Sequence, residues 1–385
     1  MRTNLENNVL TLYLGGEINS YNADNIEKEI RETLEKQSFE KLVLDFSSVS
    51  YISSAGLRII LKLKQQYNDF SIVETSLEVY DIFSMTGFVN IMDIKKGLKK
   101  VFLSGAEVIG DGYYSTVYRV DKDTIIKVFN RVSDPEQIER ELKLAKEAFI
   151  LGIPTAISFD IVKVDDGKLG VRFEMLDCES LKNMVIKYPE RMNEFLEKYA
   201  ALLKKMNTTE CFNPNIPDMK AHYLRKLDKI KAWLPNEVNE KLLKMFNAIP
   251  DRRTLIHGDC HFKNIMVQKD ELLLIDMDTL SVGHPIFEWA ALYAPYCAFN
   301  EDDPGNSLRF FGIKDEDALA LYNALLVRYF GKDDQAIRDK IKIVGYVHMI
   351  RWTTNNDPTN EKRINGCKER LLKLLERYSD LDIGL

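Results

Sequence analysis

The chain has 385 residues, with 53 Lys and Arg against 59 Asp and Glu and a formal net charge of -6. That length exceeds one ordinary core, so two or three compact units are expected. With 45% hydrophobic and 29% charged residues the composition is that of a folded globular chain. No basic stripe or polybasic cluster argues for nucleic acid or an anionic membrane surface.

Val9 to Leu14 is a short apolar run closed by Gly15-Gly16, which predicts a strand and a turn. Asn22 to Leu34 has helical spacing, and Lys41 to Phe46 reads as a buried strand. Ser53 and Ser54 precede a helical pattern over Ala55–Gln66, followed by a strand at Phe70–Val73 and a helix at Ser76–Phe83. Such alternation predicts a sheet covered by helices. Over Met1 to Gly97 the chain resembles the STAS domain, the fold of anti-sigma-factor antagonists and sulphate-transporter tails. The resemblance rests on Leu42 to Leu57, with Ser-Ser-Ala-Gly-Leu at the helix start, and on Met85-Thr86-Gly87-Phe88. It implies an α/β domain over 1–97 that binds a protein partner, with Ser54 on the antagonists' phosphorylated Ser and Ser53 where they carry Asp. A hydroxyl at this helix start serves either as a cap, for about 1 kcal/mol, or as a phospho-site favoured by the helix dipole.

Residues 98–104 read as a short polar linker. Next, VIGDGYYSTVYRV over Val108–Val120 predicts a strand, a turn at Gly110 and Gly112, and a returning strand. Missing Cβ atoms there let backbone N–H groups approach phosphate oxygens. Lys127 is the one inward cation of the strand TIIKVFN. The helix Pro135–Ala148 offers Glu139 and Glu141 as partners, and helical phase lets only one of them face inward. Val171 to Asp177 reads as a strand leading into a hinge.

From Leu181 the chain is mostly helical, with amphipathic stretches at Glu194–Met206 and His222–Trp233. They lead to LIHGDCHFKNIMVQKDELLLIDMDT, Leu255 to Thr279. Asp259 and Asn264 form an Asp-x-x-x-x-Asn loop, and an apolar run ends in Asp276. Asn264 and Asp276 supply hard oxygen ligands suited to Mg²⁺, and Asp259 stands beside them to take the proton of an attacking hydroxyl. This is the pattern of a phosphoryl-transfer centre.

These residues resemble the small-molecule branch of the protein-kinase-like superfamily, which holds the aminoglycoside phosphotransferases and the choline, ethanolamine and homoserine kinases. His257-Gly258-Asp259 replaces His-Arg-Asp, His261 takes the +2 position, and Ile275-Asp276-Met277-Asp278 replaces Asp-Phe-Gly. The resemblance implies an α+β bilobal domain, with a nucleotide lobe over 105–178 and a helical lobe over 179–385. It implies ATP and Mg²⁺, with Asp259 as base, Asn264 and Asp276 as metal ligands and Asp278 as a further acid. Lys127 paired with Glu141 is expected on the phosphates, Gly110, Gly112 and Ser115 along the nucleotide loop, and Glu174, Met175 and Leu176 at the adenine. Glu288, in Gly-His-Pro-Ile-Phe-Glu-Trp-Ala, stands where the family has Asp. No long activation segment follows Asp276, which argues for a small hydroxyl acceptor over a peptide. Asn300 to Asn306, NEDDPGN, is either an attractor for a cationic amine or a solvated turn. Tyr346, His348 and Trp352 either line a pocket or pack a helix core. Two other functions fit the motifs: a nucleotide-binding, partner-switching protein without turnover, and a kinase that phosphorylates Ser54. Five scattered cysteines without Cys-x-x-Cys argue for reduced thiols over disulfides or zinc. With no signal-peptide pattern and no 18-residue apolar run, a cytoplasmic protein is expected.

Overall fold

The computed structural model describes residues 1–112, 115–131, 134–165 and 167–385. The chain divides into two compact units, Met1–Phe102 and Leu103–Leu385.

In the first unit five strands lie in chain order: Arg2–Glu6, Val9–Ile18, Lys41–Ile52, Phe70–Thr75 and Asp93–Lys96. The first pair is antiparallel and the other three pairings are parallel, so the sheet is mixed. Helices Ala23–Leu34, Ser54–Gln66 and Leu77–Met85 bring Ile30, Ile60 and Phe83 onto it, and Leu10, Leu42, Leu44 and Ile72 are fully buried beneath. Gly15-Gly16 does not close the first long strand. The strand runs on to Ile18 with register shifts around the two glycines, and Gly16 takes φ +72°, so they form a bulge. Gly56 is required for packing, because a Cβ there would lie 2.7 Å from both Ile18 and Ile52.

In the second unit the strands line up as 158–164, 169–174, 124–129, 115–119, 107–111. Helix Pro135–Ile150 packs on this sheet through Ile138 and Leu142, which meet Phe129 and Val171. Asp134 caps that helix by accepting from Glu136 N–H, with Pro135 at the first position. The rest is helical around one large core that buries Trp289, Tyr199, Tyr223 and Phe287. Two short β-pairs interrupt it. Leu255–Ile256 pairs with Ser281–Val282, and the hairpin Ile265–Gln268 with Glu271–Leu274. They hold the two ends of the loop that carries Asp259. The stretch read as linker contains a three-residue strand, Lys99–Val101.

Candidate active site

Lys127 sits mid-strand between Val117 and Val171 on its neighbours. Its ammonium lies 2.6 Å from Glu141 Oε1 and 2.6 Å from Asp276 Oδ1. Glu141 is buried, 8% exposed, while Glu139 pairs with Lys143 on the outer face of the same helix. Burial opposes charge on Lys127, but Asp276 and Glu141 outweigh it and hold the ammonium well above its ordinary range. Burial likewise opposes ionisation of Asp276, and Lys127 reverses that, leaving the carboxyl below its usual value.

The loop that carries Asp259 is fixed from several sides. Glu288, fully buried, accepts from His257 N–H at 2.6 Å and Gly258 N–H at 3.1 Å. Thr279 hydroxyl donates to His257 carbonyl at 2.6 Å, and Tyr199 hydroxyl donates to Cys260 carbonyl. Gly258 takes φ +82°, and a Cβ there would lie 3.3 Å from both Met219 and Thr279, so only glycine suits the turn. Asn264 amide nitrogen donates to Asp259 carbonyl at 3.0 Å and to its Oδ2 at 3.1 Å, which turns the amide oxygen away from the carboxylate. Ile275 N–H donates to Asn264 carbonyl at 2.9 Å, tying the loop to the segment that carries Asp276. Asp276 itself is left-handed, φ +66°, a costly conformation for a non-glycine residue.

Asp259 is pushed up to about 8 by burial first and then by the charges of Asp276 and Asp278. Its side chain is still 46% exposed, and water on that edge moderates the rise. Burial, then Asp276 and Glu141, push Asp278 up to about 7. His261 Nε2 lies 3.5 Å from Asp259 Oδ1, but burial pulls the imidazole down to about 4, so this is not an ion pair at neutral pH.

A cleft of about 580 Å³ is lined by Gly110, Gly112, Ser115, Lys127, Glu141, Glu174, Leu176, Asn264 and Asp276. It therefore gathers every residue predicted for nucleotide and metal. Gly112 N–H donates to Ser115 carbonyl at 2.9 Å across the loop; Tyr113 and Tyr114 at its tip lie outside the described residues. At the hinge Met175 N–H is taken by Asp123 carbonyl and Glu174 N–H by Ile157 carbonyl. Both amides are thus spent inside the lobe, while Met175 lines the cleft with Glu174 and Leu176. A second hollow of about 670 Å³, beside the outer face of helix Pro135–Ile150, is lined by Glu136, Arg140, Lys143 and Glu147 and touches none of these nine residues except through their helix. The donor chemistry fits a divalent cation. Asn264 and Asp276 are hard oxygen donors among three mutually repelling carboxylates. Hard oxygen donors of this kind suit Mg²⁺, which keeps waters and takes phosphate oxygens.

Residues 105–322, more than half of the chain, match the phosphotransferase enzyme family. The chain belongs to that family. Residues 1–104 match the STAS domain. The first unit of this phosphotransferase is similar to BtrV of Bordetella bronchiseptica, whose name places it among anti-sigma factor antagonists; the two are 33% identical over 90 residues, 22% of this chain and 77% of that one. Among solved structures the chain is similar to a choline/ethanolamine kinase family protein from Mesorhizobium loti, at 14% identity and TM-score 0.44, covering 70% of this chain and 88% of that one. It is also similar to an ADP-bound aminoglycoside phosphotransferase, APH(2'')-Ib, at 15% identity and TM-score 0.44, covering 70% and 93%.

Several expectations change. Ser54 is not the cap of its helix. It lies exposed in the first turn, while Ser53 occupies the cap position with a buried hydroxyl that makes no cap bond. The acids of NEDDPGN are not free for an amine. Glu301 and Asp302 pair with Arg370, and Asp303 pairs with Arg309. Tyr346 belongs to that network through Glu301, and Trp352 meets Phe299 edge-on. Sequence reading gave Glu288 only a conserved charge and missed its clamp on the loop. The one available signal was its place in a helix apolar on every side.

Proposed function

We propose that this phosphotransferase transfers the γ-phosphoryl group of ATP, with Mg²⁺, to the hydroxyl of a small molecule in the cytoplasm. The reading is carried by one convergence: Lys127, clamped by Glu141 and Asp276, shares a cleft with Asn264, which is bonded to Asp259. Two of the ammonium's three donors go to the carboxylates, and the third is left for a phosphate oxygen. Gly110, Gly112 and Ser115 offer backbone to the phosphates, and Glu174 and Leu176 flank the base. Asn264 and Asp276 would hold Mg²⁺, which supplies charge neutralisation to the triphosphate. Asp259 orients the acceptor hydroxyl and takes its proton. The reaction asks mainly for positioning and electrostatics, which the fixed loop supports. From Asp276 the chain passes through one short turn, Met277–Thr279, and the strand Ser281–Val282 into helix Ile286–Tyr293, with no platform for a peptide. Free cysteines, four of the five buried, agree with a reducing compartment, and no helix of the described residues is long and apolar enough to cross a membrane.

The test is Asp259→Asn. Turnover should vanish while ATP still binds in a calorimetric titration, and retained turnover removes the base assignment. ATP binding by the wild type without product over a broad panel of hydroxyl compounds would favour a nucleotide-binding, partner-switching protein instead. A second reading rests on the exposed Ser54 at a helix start, where phosphate is favoured. In it the STAS domain binds a protein partner and Ser54 is its phospho-site, served by that partner or by the phosphotransferase unit itself. Intact mass after incubation with Mg-ATP separates the two sources of phosphate.

A further inference from the structure

Helix Met219–Ile230 starts against the catalytic loop, where Met219 packs on Gly258. Its next two turns carry His222, Arg225 and Lys226. Lys226 Nζ lies 3.0 Å from His348 Nδ1 and 4.1 Å from the centre of the Tyr223 ring. Tyr223 stacks at 4.7 Å on Phe287, one residue before the Glu288 that clamps the loop. Arg351 lies one turn beyond His348 on helix Gln335–Asn356, and its charge acts on Lys226. His222 feels Lys226, Arg225, Arg140 and Arg351 together. Arg140 is the neighbour of Glu141, which holds Lys127. Lys226 and His348 thus meet between two helices beside the loop, with Arg225 next to Lys226 in the chain and Arg351 one turn beyond His348.

Elsewhere several arginines of this chain are matched by acids, as in Arg172 with Asp160, Arg328 with Glu197 and Arg370 with Glu301 and Asp302. Here none is. Among the described residues no carboxylate forms an ion pair with Arg225, Lys226 or Arg351, and the neighbouring charge that acts on Lys226 is that of Arg351. A recessed lysine without an acid is costly unless something external neutralises it. Burial, then Arg351, pull Lys226 down to about 7, so an arriving anion would restore its charge.

We infer that the phosphoryl acceptor is itself an acid, a small hydroxy compound whose carboxylate or phosphate group is bound by Lys226, Arg351, Arg225 and His222 while its hydroxyl meets Asp259. This deepens the proposed function and rests on it. In the transfer the acceptor O–H gives its proton to Asp259, the acceptor oxygen bonds to the γ-phosphorus, and the bond from that phosphorus to the bridging oxygen breaks, releasing ADP.

The experiment uses the full chain with Mg-ATP and four small acceptors: glycerol, glycerate and glycerol phosphate, which share a three-carbon skeleton, and the cationic ethanolamine. Phosphorylation of glycerate or glycerol phosphate above glycerol and ethanolamine is expected, and which of the two wins tells carboxylate from phosphate. Lys226→Met and Arg351→Gln should each raise KM for the acid about tenfold or more, the loss of one charged contact, with a smaller change in kcat. Arg351→Lys should recover part of it. Both variants are checked by melting, and binding of the acid to the Mg-ADP form by thermal shift gives a readout apart from turnover. Preference for ethanolamine or glycerol, no transfer to either acid, or an unmoved KM in both folded variants overturns the inference. Slow ATP hydrolysis that still depends on Asp259 would then leave the proposed function standing, whereas hydrolysis indifferent to Asp259→Asn would remove that as well.

Discussion

Asp259 shows how far a residue's chemistry depends on its neighbours. An isolated aspartate is ionised at neutral pH and has little pull on a proton, whereas here burial and two nearby acids raise it to about 8. With Asp259 as the proposed base, active only when deprotonated, activity should rise with pH, pass half its maximum near that value and level off above it. Asp278 is one cause of the shift, and Asp278→Asn should move the limb of the kcat/KM profile to lower pH. A limb that stays in place would mean that Asp278 does not act on the base. Gly258 is the second decisive residue. Gly258→Ala puts a Cβ against Met219 and Thr279 in a left-handed turn, a cost of about 1–3 kcal/mol. Loss of turnover should exceed the loss of stability, because the turn places Asp259 directly. Equal turnover in a folded Gly258→Ala protein would contradict that.

At the scale of elements, the segment from Asp276 to Thr279 separates two acids with opposite fates. By sequence Asp276 lies among like-signed oxygens. In the structure Asp276 is paired with Lys127, and Asp278 carries the repulsion, raised to about 7. The raised value means that the folded chain keeps a proton which the unfolded chain has already released. Stability from this group is therefore complete below the ordinary aspartate value and is lost as pH rises to about 7. Asp278→Asn should accordingly stabilise the ligand-free protein, with a gain that grows over that window and is constant above it. Because the side chain is exposed on one side, the gain is expected at roughly 1 kcal/mol, about 2–4 °C in Tm. Melting curves of both proteins at several pH values check this, and a gain independent of pH would rule out the electrostatic cause. Asp276→Asn instead removes a partner of Lys127 and should not stabilise.

At the scale of the molecule each of the two units has a main hydrophobic core of its own, one beneath the mixed sheet and one among the helices. Two cores are expected to give two unfolding transitions in calorimetry. Mg-ATP should raise only the transition of the unit Leu103–Leu385, by about 2.7 kcal/mol at a hundredfold excess over Kd, and leave that of Met1–Phe102 in place. A shift of both transitions, or of neither, would contradict the placement of the nucleotide cleft.

Much was legible from the sequence alone. Period-two and helical patterns gave the alternating first unit, and Gly-x-Gly, Lys127 and the Asp259–Asn264–Asp276 spacing pointed to residues that the fold brings together, because local backbone geometry fixes such spacings. Element ends were less legible: the strand from Val9 passes through its glycines because sheet pairing outweighs local turn preference. Only the tertiary structure decided which charges meet. Helical phase left Glu139 and Glu141 equal until one faced Lys127. The acids of NEDDPGN were claimed by Arg309 and by Arg370, a remote residue, while Lys226 and Arg351, 125 positions apart in the chain, were left without any. Charge pairing acts through space over a few ångströms, and the order of residues along the chain does not encode it.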